Sequence, residues 1–176
     1  MFISVAMLFS PGDSVLASNL KEAPPVRAEK WFNAGGDKKI TMAGLHGKVI
    51  LIFFWSENDS NCQKDIPTLN DWYVKYRPRG LEIIGVHSFE WAYDASDAVL
   101  ADKILSYHIE FPVASDDGLN TRTSYEQFTV PAYCLVDRQG FIRARYRGML
   151  IANPGLETMI EALLEQGHSR MFAEEV

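Results

Sequence analysis

The clearest hydrophobic pattern in the chain is an unbroken apolar run from Val49 to Trp55. An apolar run of this length is typical of a strand that is buried on both faces of a sheet. From Ser60 to Tyr76 the apolar positions recur at helical spacing, which predicts an amphipathic helix. A second apolar run follows from Leu81 to Val86. This order predicts two parallel strands joined by a right-handed helical crossover.

Alternating elements continue beyond this pair. We predict a helix at 96–107, a strand at 111–114, a helix at 119–128, strands at 132–137 and 141–147, and a helix at 153–164. Near the start of the domain, the turn residues 34–37 lie between the short apolar stretches 31–33 and 40–41, which predicts an N-terminal β-hairpin. Together these elements indicate an α/β fold with a central mixed sheet flanked by helices.

The length of 176 residues and the hydrophobic content of 47% suit one compact domain. We place this domain at residues 31–167, between an extended lead-in at 18–30 that contains a Pro-Pro pair and a C-terminal tail at 168–176.

The apolar run at residues 2–9 is too short to span a bilayer. A helix breaker and small residues follow it, which predicts a signal peptide at residues 1–17 that is cleaved after Ala17. No Lys or Arg precedes the run, so a buried N-terminal strand is the alternative. With cleavage, we expect an exported protein of the periplasm or another extracytoplasmic space, with no transmembrane span in the mature chain.

The net charge of −6 argues against nucleic acid and anionic membrane surfaces as partners. The two cysteines, Cys62 and Cys134, are too few for a disulfide scaffold and lack zinc spacing, so we predict neither a metal site nor a cofactor. Cys134 lies in a predicted buried strand, where core packing is the main interpretation and a disulfide to Cys62 the alternative. His87, with Glu90 nearby, is interpreted as a loop histidine with satisfied hydrogen bonds, and a catalytic histidine is the alternative.

The short loop after the buried strand leads into a helix that carries Cys62 in its first turn and then Pro67. This segment resembles the active site of the thioredoxin-like superfamily, in which Phe-Trp precedes Cys-x-x-Cys and a proline stands five residues after the second cysteine. Other phrases resemble redoxins of the TlpA and ResA type and the thioredoxin-like domains of DipZ and NHL-repeat proteins. These phrases are Leu45-His46-Gly47-Lys48, Asn70-Asp71-Trp72-Tyr73 and Gly85-Val86-His87-Ser88. The resemblance covers about residues 31–150.

The resemblance implies a thioredoxin-like fold, with an insertion before the strand that follows a cis-proline turn at Val130-Pro131. It also implies thiol-disulfide exchange with protein or peptide partners. By this resemblance, Cys62 stands at the position of the resolving cysteine. Trp55, Val130 and Pro131 stand at positions that dock the substrate.

The sequence departs from the family at the position of the attacking cysteine, where the motif is Asp59-Ser60-Asn61-Cys62. A carboxylate cannot attack a disulfide, and its charge disfavours a nearby thiolate. Asp59 has a simpler interpretation as the helix N-cap, which would accept the amide of Cys62. Phe53 stands where some thioredoxins carry a buried Asp that helps to move the proton of the second thiol. Both changes predict weak or absent exchange activity.

Three hypotheses follow for this chain. The first is a redox-impaired redoxin that binds peptides with the Val130-Pro131 face. The second is a monothiol enzyme in which Cys62 works alone and a small thiol or a partner cysteine resolves its mixed disulfides. The third is a structural interaction domain in which Cys62 only packs in the core.

Overall fold

The computed structural model describes residues 20–36, 39–88, 96–116 and 118–171, with side chains up to 166. The predicted signal peptide at 1–17 and Glu90 lie outside these residues. The strands are β1 Lys30–Phe32, β2 Val49–Trp55, β3 Leu81–His87, β4 Val113–Ser115, β5 Ala132–Val136 and β6 Ile142–Arg147. The helices are α1 Ser60–Tyr76, α2 Asp97–Ser106, α3 Asn120–Ser124 and α4 Gly155–Met171, and short 3-10 turns span Ala43–Leu45, Arg77–Arg79 and Leu150–Ala152.

All six strands form one mixed sheet in the order β1-β4-β3-β2-β5-β6. Strand β2 pairs in parallel with β3 and antiparallel with β5, while β3 and β4 are parallel. The α/β class, the mixed sheet with flanking helices and the parallel β2–β3 pair are therefore confirmed. The expected insertion is also present, because α2, β4 and α3 lie between β3 and β5.

Strand β2 supplies the centre of the core, and every one of its residues is buried. Val49, Leu51, Phe53 and Trp55 point into one core layer, which α1, α2 and α4 cover. The alternate residues Ile50, Ile52 and Phe54 point into a second layer on the opposite face. A strand that is buried on both faces needs apolar side chains at every position, which explains the unbroken apolar run.

The predicted N-terminal β-hairpin is wrong. Strand β1 pairs antiparallel with β4, and residues 40–41 form no strand. The glycines of the supposed turn, Gly35 and Gly36, do adopt positive φ angles. Strand β1 is held beside β4, and the side chain of Asn33 just after it donates to the carbonyl of Ile109 at 2.8 Å. Pairing with β4 covers an otherwise open sheet edge, which a local hairpin would leave unpaired.

Two helix ends also differ from the prediction. Helix α3 ends at Ser124, and Glu126 has a φ of 58°, which a helix cannot contain. The guanidinium of Arg122 donates to the carbonyls of Gln127 and Phe128, so side-chain hydrogen bonds replace the expected last turn. Helix α4 continues past Gly167 to Met171.

Residues 20–30 lie along the domain, and all but β1's Lys30 are outside strands of the sheet. Val26 is buried in the second core layer, and Glu22 forms an isolated antiparallel bridge with Phe141 beside β6. Within the described part of the chain, no helix combines the length and hydrophobicity needed to cross a membrane.

Candidate functional site

The site predicted from the sequence lies where β2 ends and α1 begins. Asp59 is the N-cap of α1, with extended backbone angles of φ −90° and ψ 114°. Its Oδ1 accepts hydrogen bonds from the backbone amides of Asn61 at 2.9 Å and Cys62 at 2.8 Å. The predicted capping role of Asp59 is therefore confirmed, and its carboxylate occupies the helix end that would otherwise favour a thiolate.

Cys62 is completely buried in the first turn of α1, with an exposed fraction of 0%. Burial raises the pKa of its thiol far above the usual value, and the negative charges of Asp59 and Asp65 raise it further. A hydrogen bond from the backbone of Ser56 lowers that pKa, but burial is the larger effect. The thiolate, which is the reactive form, is therefore strongly disfavoured in this fold.

A buried acid–histidine pair, which the sequence interpretation missed, lies next to this cysteine. The Oε2 of Glu57 lies 2.6 Å from the Nε2 of His87, and both side chains are buried. The hydrogen bond and the charge of His87 lower the pKa of Glu57 below its usual value of 4.5, so Glu57 is ionised at neutral pH. The pair could have been predicted from the register of the parallel strands β2 and β3. In that register Trp55 lies opposite His87, and Glu57 follows Trp55 by two residues.

A second buried carboxylate, Asp65, joins three parts of the fold below the site. Its Oδ2 accepts from the hydroxyl of Tyr133 on β5 at 2.6 Å and from the backbone amide of Leu150 at 3.0 Å. Burial raises the pKa of Tyr133 strongly, and the neighbouring carboxylate raises it further, so the tyrosine remains a hydrogen-bond donor. These bonds fix the first half of α1 against β5 and against the segment that follows β6.

The Val130-Pro131 peptide bond is cis, as the family resemblance implied. The carbonyl of Pro131 accepts from the amide of Gly148 at 2.9 Å, which brings the segment after β6 to this turn. Val130 is half-buried, Pro131 is buried, and the preceding Phe128 is 69% exposed. The exposed apolar surface at this turn therefore belongs to Phe128 and Val130.

Trp55 is placed differently from its predicted docking role. Its exposed fraction is 0%, so no part of its side chain is available to a partner in this structure. It packs edge-on against His87, and its Nε1 has no hydrogen-bond partner among the described residues. An aromatic ring after an apolar strand can equally well complete a core, and here it does so.

An open groove of about 620 Å³ lies between α1 and the segment that follows β6. Its wall includes Trp72 from α1 together with Met149, Leu150 and Ile151. Ile151 is 83% exposed, which is unusual for a large apolar side chain. The start of this segment reaches the cis-proline turn through the bond from the amide of Gly148 to the carbonyl of Pro131.

The two cysteines are free, and they lie in different core layers on opposite faces of the sheet. Because the sheet lies between these two layers, the cysteines cannot form a disulfide without a backbone rearrangement. The predicted packing role of Cys134 fits this position, and burial raises its thiol pKa to about 12. Among residues 20–36, 39–88, 96–116 and 118–171, no three His, Cys, Asp or Glu side chains form a group suited to a metal ion.

Comparison with known proteins gives a consistent picture. The AhpC/TSA family matches residues 20–145. Protein DipZ of Mycobacterium tuberculosis is 38% identical over 113 residues, which are 64% of this chain and 16% of DipZ. The thiol-disulfide oxidoreductase ResA of Bacillus thuringiensis is 30% identical over 111 residues, which are 63% of this chain and 61% of ResA. The matched region is thus less than two thirds of the length of either relative.

Solved structures support the same fold. A thioredoxin-like superfamily protein superposes with a TM-score of 0.72 at 27% identity, covering 81% of this chain and 96% of that one. A thioredoxin-like protein in its oxidised form also gives a TM-score of 0.72, at 26% identity, covering 84% of this chain and 97% of that one. Both superpositions extend over nearly the whole of the second protein.

Proposed function

This chain belongs to the AhpC/TSA family of thioredoxin-like redoxins, and we propose that it is a redox-impaired member that binds protein or peptide chains. The observation that carries this proposal is the state of Cys62, which is the sole thiol of the motif and is completely buried. Burial and neighbouring carboxylates raise its pKa far above neutrality, and burial keeps the thiol from contacting a disulfide in solution.

The chemistry of the family explains why one buried thiol is insufficient. Thiol-disulfide exchange needs an accessible thiolate that attacks the substrate and a second thiol that resolves the mixed disulfide. This chain has Asp59 at the attacking position, and its carboxylate is engaged with two backbone amides. Phe53 replaces the buried acid that some thioredoxins use for proton transfer, and it is itself fully buried. Both residues support an inactive exchange site.

The binding part of the proposal rests on the surface that remains. The cis-proline turn at Val130-Pro131 is retained, and the exposed Phe128 precedes it. The exposed Ile151 lies on the wall of the groove beside α1, in the segment that the Gly148–Pro131 hydrogen bond joins to this turn. We define these residues, Phe128 to Pro131 and Gly148 to Ile151, as the docking face. Exposed apolar surface beside a cis-proline turn suits an unfolded peptide segment with large apolar side chains. By resemblance to the family, we expect such segments to come from proteins that contain cysteine.

By resemblance to ResA and DipZ, we also propose that the protein acts outside the cytoplasm. The apolar run at residues 2–9 and the predicted cleavage site after Ala17 support export. Fractionation of cells that express the full chain, followed by N-terminal sequencing of the mature protein, tests this assignment.

The exchange activity is tested by an insulin reduction assay with dithiothreitol as the reductant. We expect the full chain and its Cys62→Ser variant to give the same rate as dithiothreitol alone, because the thiol is buried and unaccompanied. Activity in the full chain that disappears in Cys62→Ser would contradict impairment and support a monothiol enzyme. Mixed disulfides trapped on Cys62 in cell extracts would support that same alternative.

The binding activity is tested with the S-carboxymethylated B chain of insulin, an unfolded peptide that cannot exchange disulfides. We expect backbone amide signals of the docking face to shift in NMR spectra, and Phe128→Ser to weaken the binding. Val74→Ser is the matched control, because Val74 is also exposed, at 61%, but lies on α1 outside the docking face. If no docking-face signal shifts at any peptide concentration, the docking proposal is wrong and a purely structural role is favoured.

A further inference from the structure

The loop from Ser56 to Asp59 connects β2 to α1 and lies against Cys62. Its first two residues are only 4% exposed, and the backbone of Ser56 donates a hydrogen bond to the thiol group. The loop closes on itself and on α1 through several bonds. The amide of Asp59 donates to the carbonyl of Ser56, and the side chain of Gln63 donates to the carbonyl of Glu57 at 2.9 Å.

The Glu57–His87 pair joins this loop to the end of β3. The Oε2–Nε2 distance is 2.6 Å, and the two side chains are 5% and 0% exposed. The carboxylate also accepts from the hydroxyl of Ser56 and, through Oε1, from the side-chain amide of Asn58 at 3.1 Å. One buried carboxylate therefore organises the whole loop around a fixed point on the sheet.

Removing one partner of such a pair has a large effect. The remaining group stays buried and loses a short hydrogen bond to a charged partner, which destabilises the closed state. The loop is short, and Asn58 at its tip is exposed. Its other bonds include the cap of Asp59 on α1 and the bonds that the side chains of Gln63 and Tyr107 donate to the carbonyl of Glu57, at 2.9 and 3.3 Å. The Glu57–His87 bond, at 2.6 Å, is the buried side-chain bond that ties the loop to β3. A loop of this kind can open locally while the core remains folded.

We propose that the Glu57–His87 pair controls access to Cys62 by holding the loop from Ser56 to Asp59 closed over the thiol. Glu57 and His87 are thus positioning residues that act on Cys62 through the loop. This inference deepens the proposed function, and it rests on that proposal only in taking Cys62 as the remaining thiol of the site.

The test compares the alkylation rates of the two cysteines in one protein. Iodoacetamide reacts with a thiolate, forming a carbon–sulfur bond and releasing iodide, and peptide mass spectrometry quantifies each site. We expect Glu57→Gln to accelerate labelling of Cys62, and Glu57→Ala to accelerate it further, by about tenfold or more over the original chain. Cys134, buried in the opposite core layer, should keep its original rate.

Cys134 separates local opening from unfolding. If both cysteines are accelerated equally, the variant opens by global unfolding and the proposal is wrong. If neither is accelerated, the pair does not control access and the proposal is also wrong. Glu126→Gln is the matched control, because it breaks the Lys21–Glu126 pair, which has the same 2.6 Å distance but is exposed to solvent. We expect this control to leave both rates unchanged.

The outcomes also separate this inference from the proposed function. Insulin reduction by the original chain would overturn redox impairment, whatever the alkylation rates are. Unchanged labelling of Cys62 in both Glu57 variants would overturn the control of access, while leaving an inactive exchange site in place.

Discussion

Replacing Asp59 with cysteine is expected to convert this chain into an active insulin reductase. Position 59 is half-buried at the N-cap of α1, so a thiol there has access to solvent and lies at the positive end of the helix. Thiols in this setting have a lowered pKa, whereas Cys62 is disfavoured as a thiolate. We expect a reduction rate about a hundredfold or more above that of the original chain.

The expected reaction uses both cysteines of the variant. The thiolate at position 59 attacks a disulfide of insulin, breaking that bond and forming a mixed disulfide. Cys62 attacks the mixed disulfide and forms a disulfide between positions 59 and 62. The substrate sulfur leaves as a thiolate and takes up the proton that Cys62 loses, so the reduced substrate is released as a thiol. Dithiothreitol then reduces this disulfide and restores the dithiol. Asp59 is removed in this variant, and with it one of the charges that raises the pKa of Cys62.

Asp59→Ser is the matched control for this variant. Serine retains an N-cap oxygen but supplies no thiol, so this variant should fold and remain inactive. Combining Asp59→Cys with Cys62→Ser should remove the resolving thiol and accumulate mixed disulfides on gels run without reductant. If Asp59→Cys folds but is no more active than Asp59→Ser, the loss of function has a cause other than the missing cysteine.

The largest expected effect on stability comes from Phe53→Ala. The Phe53 ring is fully buried and stacks on Tyr133 at 5.3 Å and on Trp55 at 6.2 Å. It also meets Phe111 edge-on at 6.5 Å. Truncation removes these contacts and leaves a cavity at the centre of β2, so the free energy of unfolding should fall by about 3–5 kcal/mol. Urea denaturation followed by circular dichroism measures this loss.

Phe128→Ala provides the comparison at an exposed phenylalanine. Its side chain is 69% exposed, so the same truncation should change the free energy of unfolding by less than about 0.5 kcal/mol. A loss below about 1 kcal/mol for Phe53→Ala would mean that the aromatic cluster repacks and does not hold β2 in place.

The sequence was sufficient for the centre of this fold because local and tertiary requirements agree there. The run from Val49 to Trp55 needs two covered faces, and the helix Ser60–Tyr76 begins and ends at the predicted residues. The prediction failed where the local turn sequence favoured one pairing and a strand distant in the sequence provided another. The turn residues 34–37 favour a hairpin, but the edge of β4 pairs with β1 instead.

The site shows the same division. The cap formed by Asp59 depends on neighbours three residues away or fewer, so its geometry follows from the sequence. The Glu57–His87 pair depends on the register of two strands whose residues are 30 positions apart in the sequence. The burial of Trp55 likewise depends on the elements packed around it. The pattern of polar and apolar residues within β2 or β3 does not predict these contacts.

The placement of Cys62 and Cys134 on opposite faces of the sheet determines how this chain can be oxidised. A dithiol redoxin stores two electrons per molecule and releases them by closing an internal disulfide. In this chain the sheet itself separates the two sulfur atoms, so the folded monomer has no internal two-electron couple. Any disulfide that the folded monomer forms must join it to another molecule. The oxidised product would then be a covalent complex.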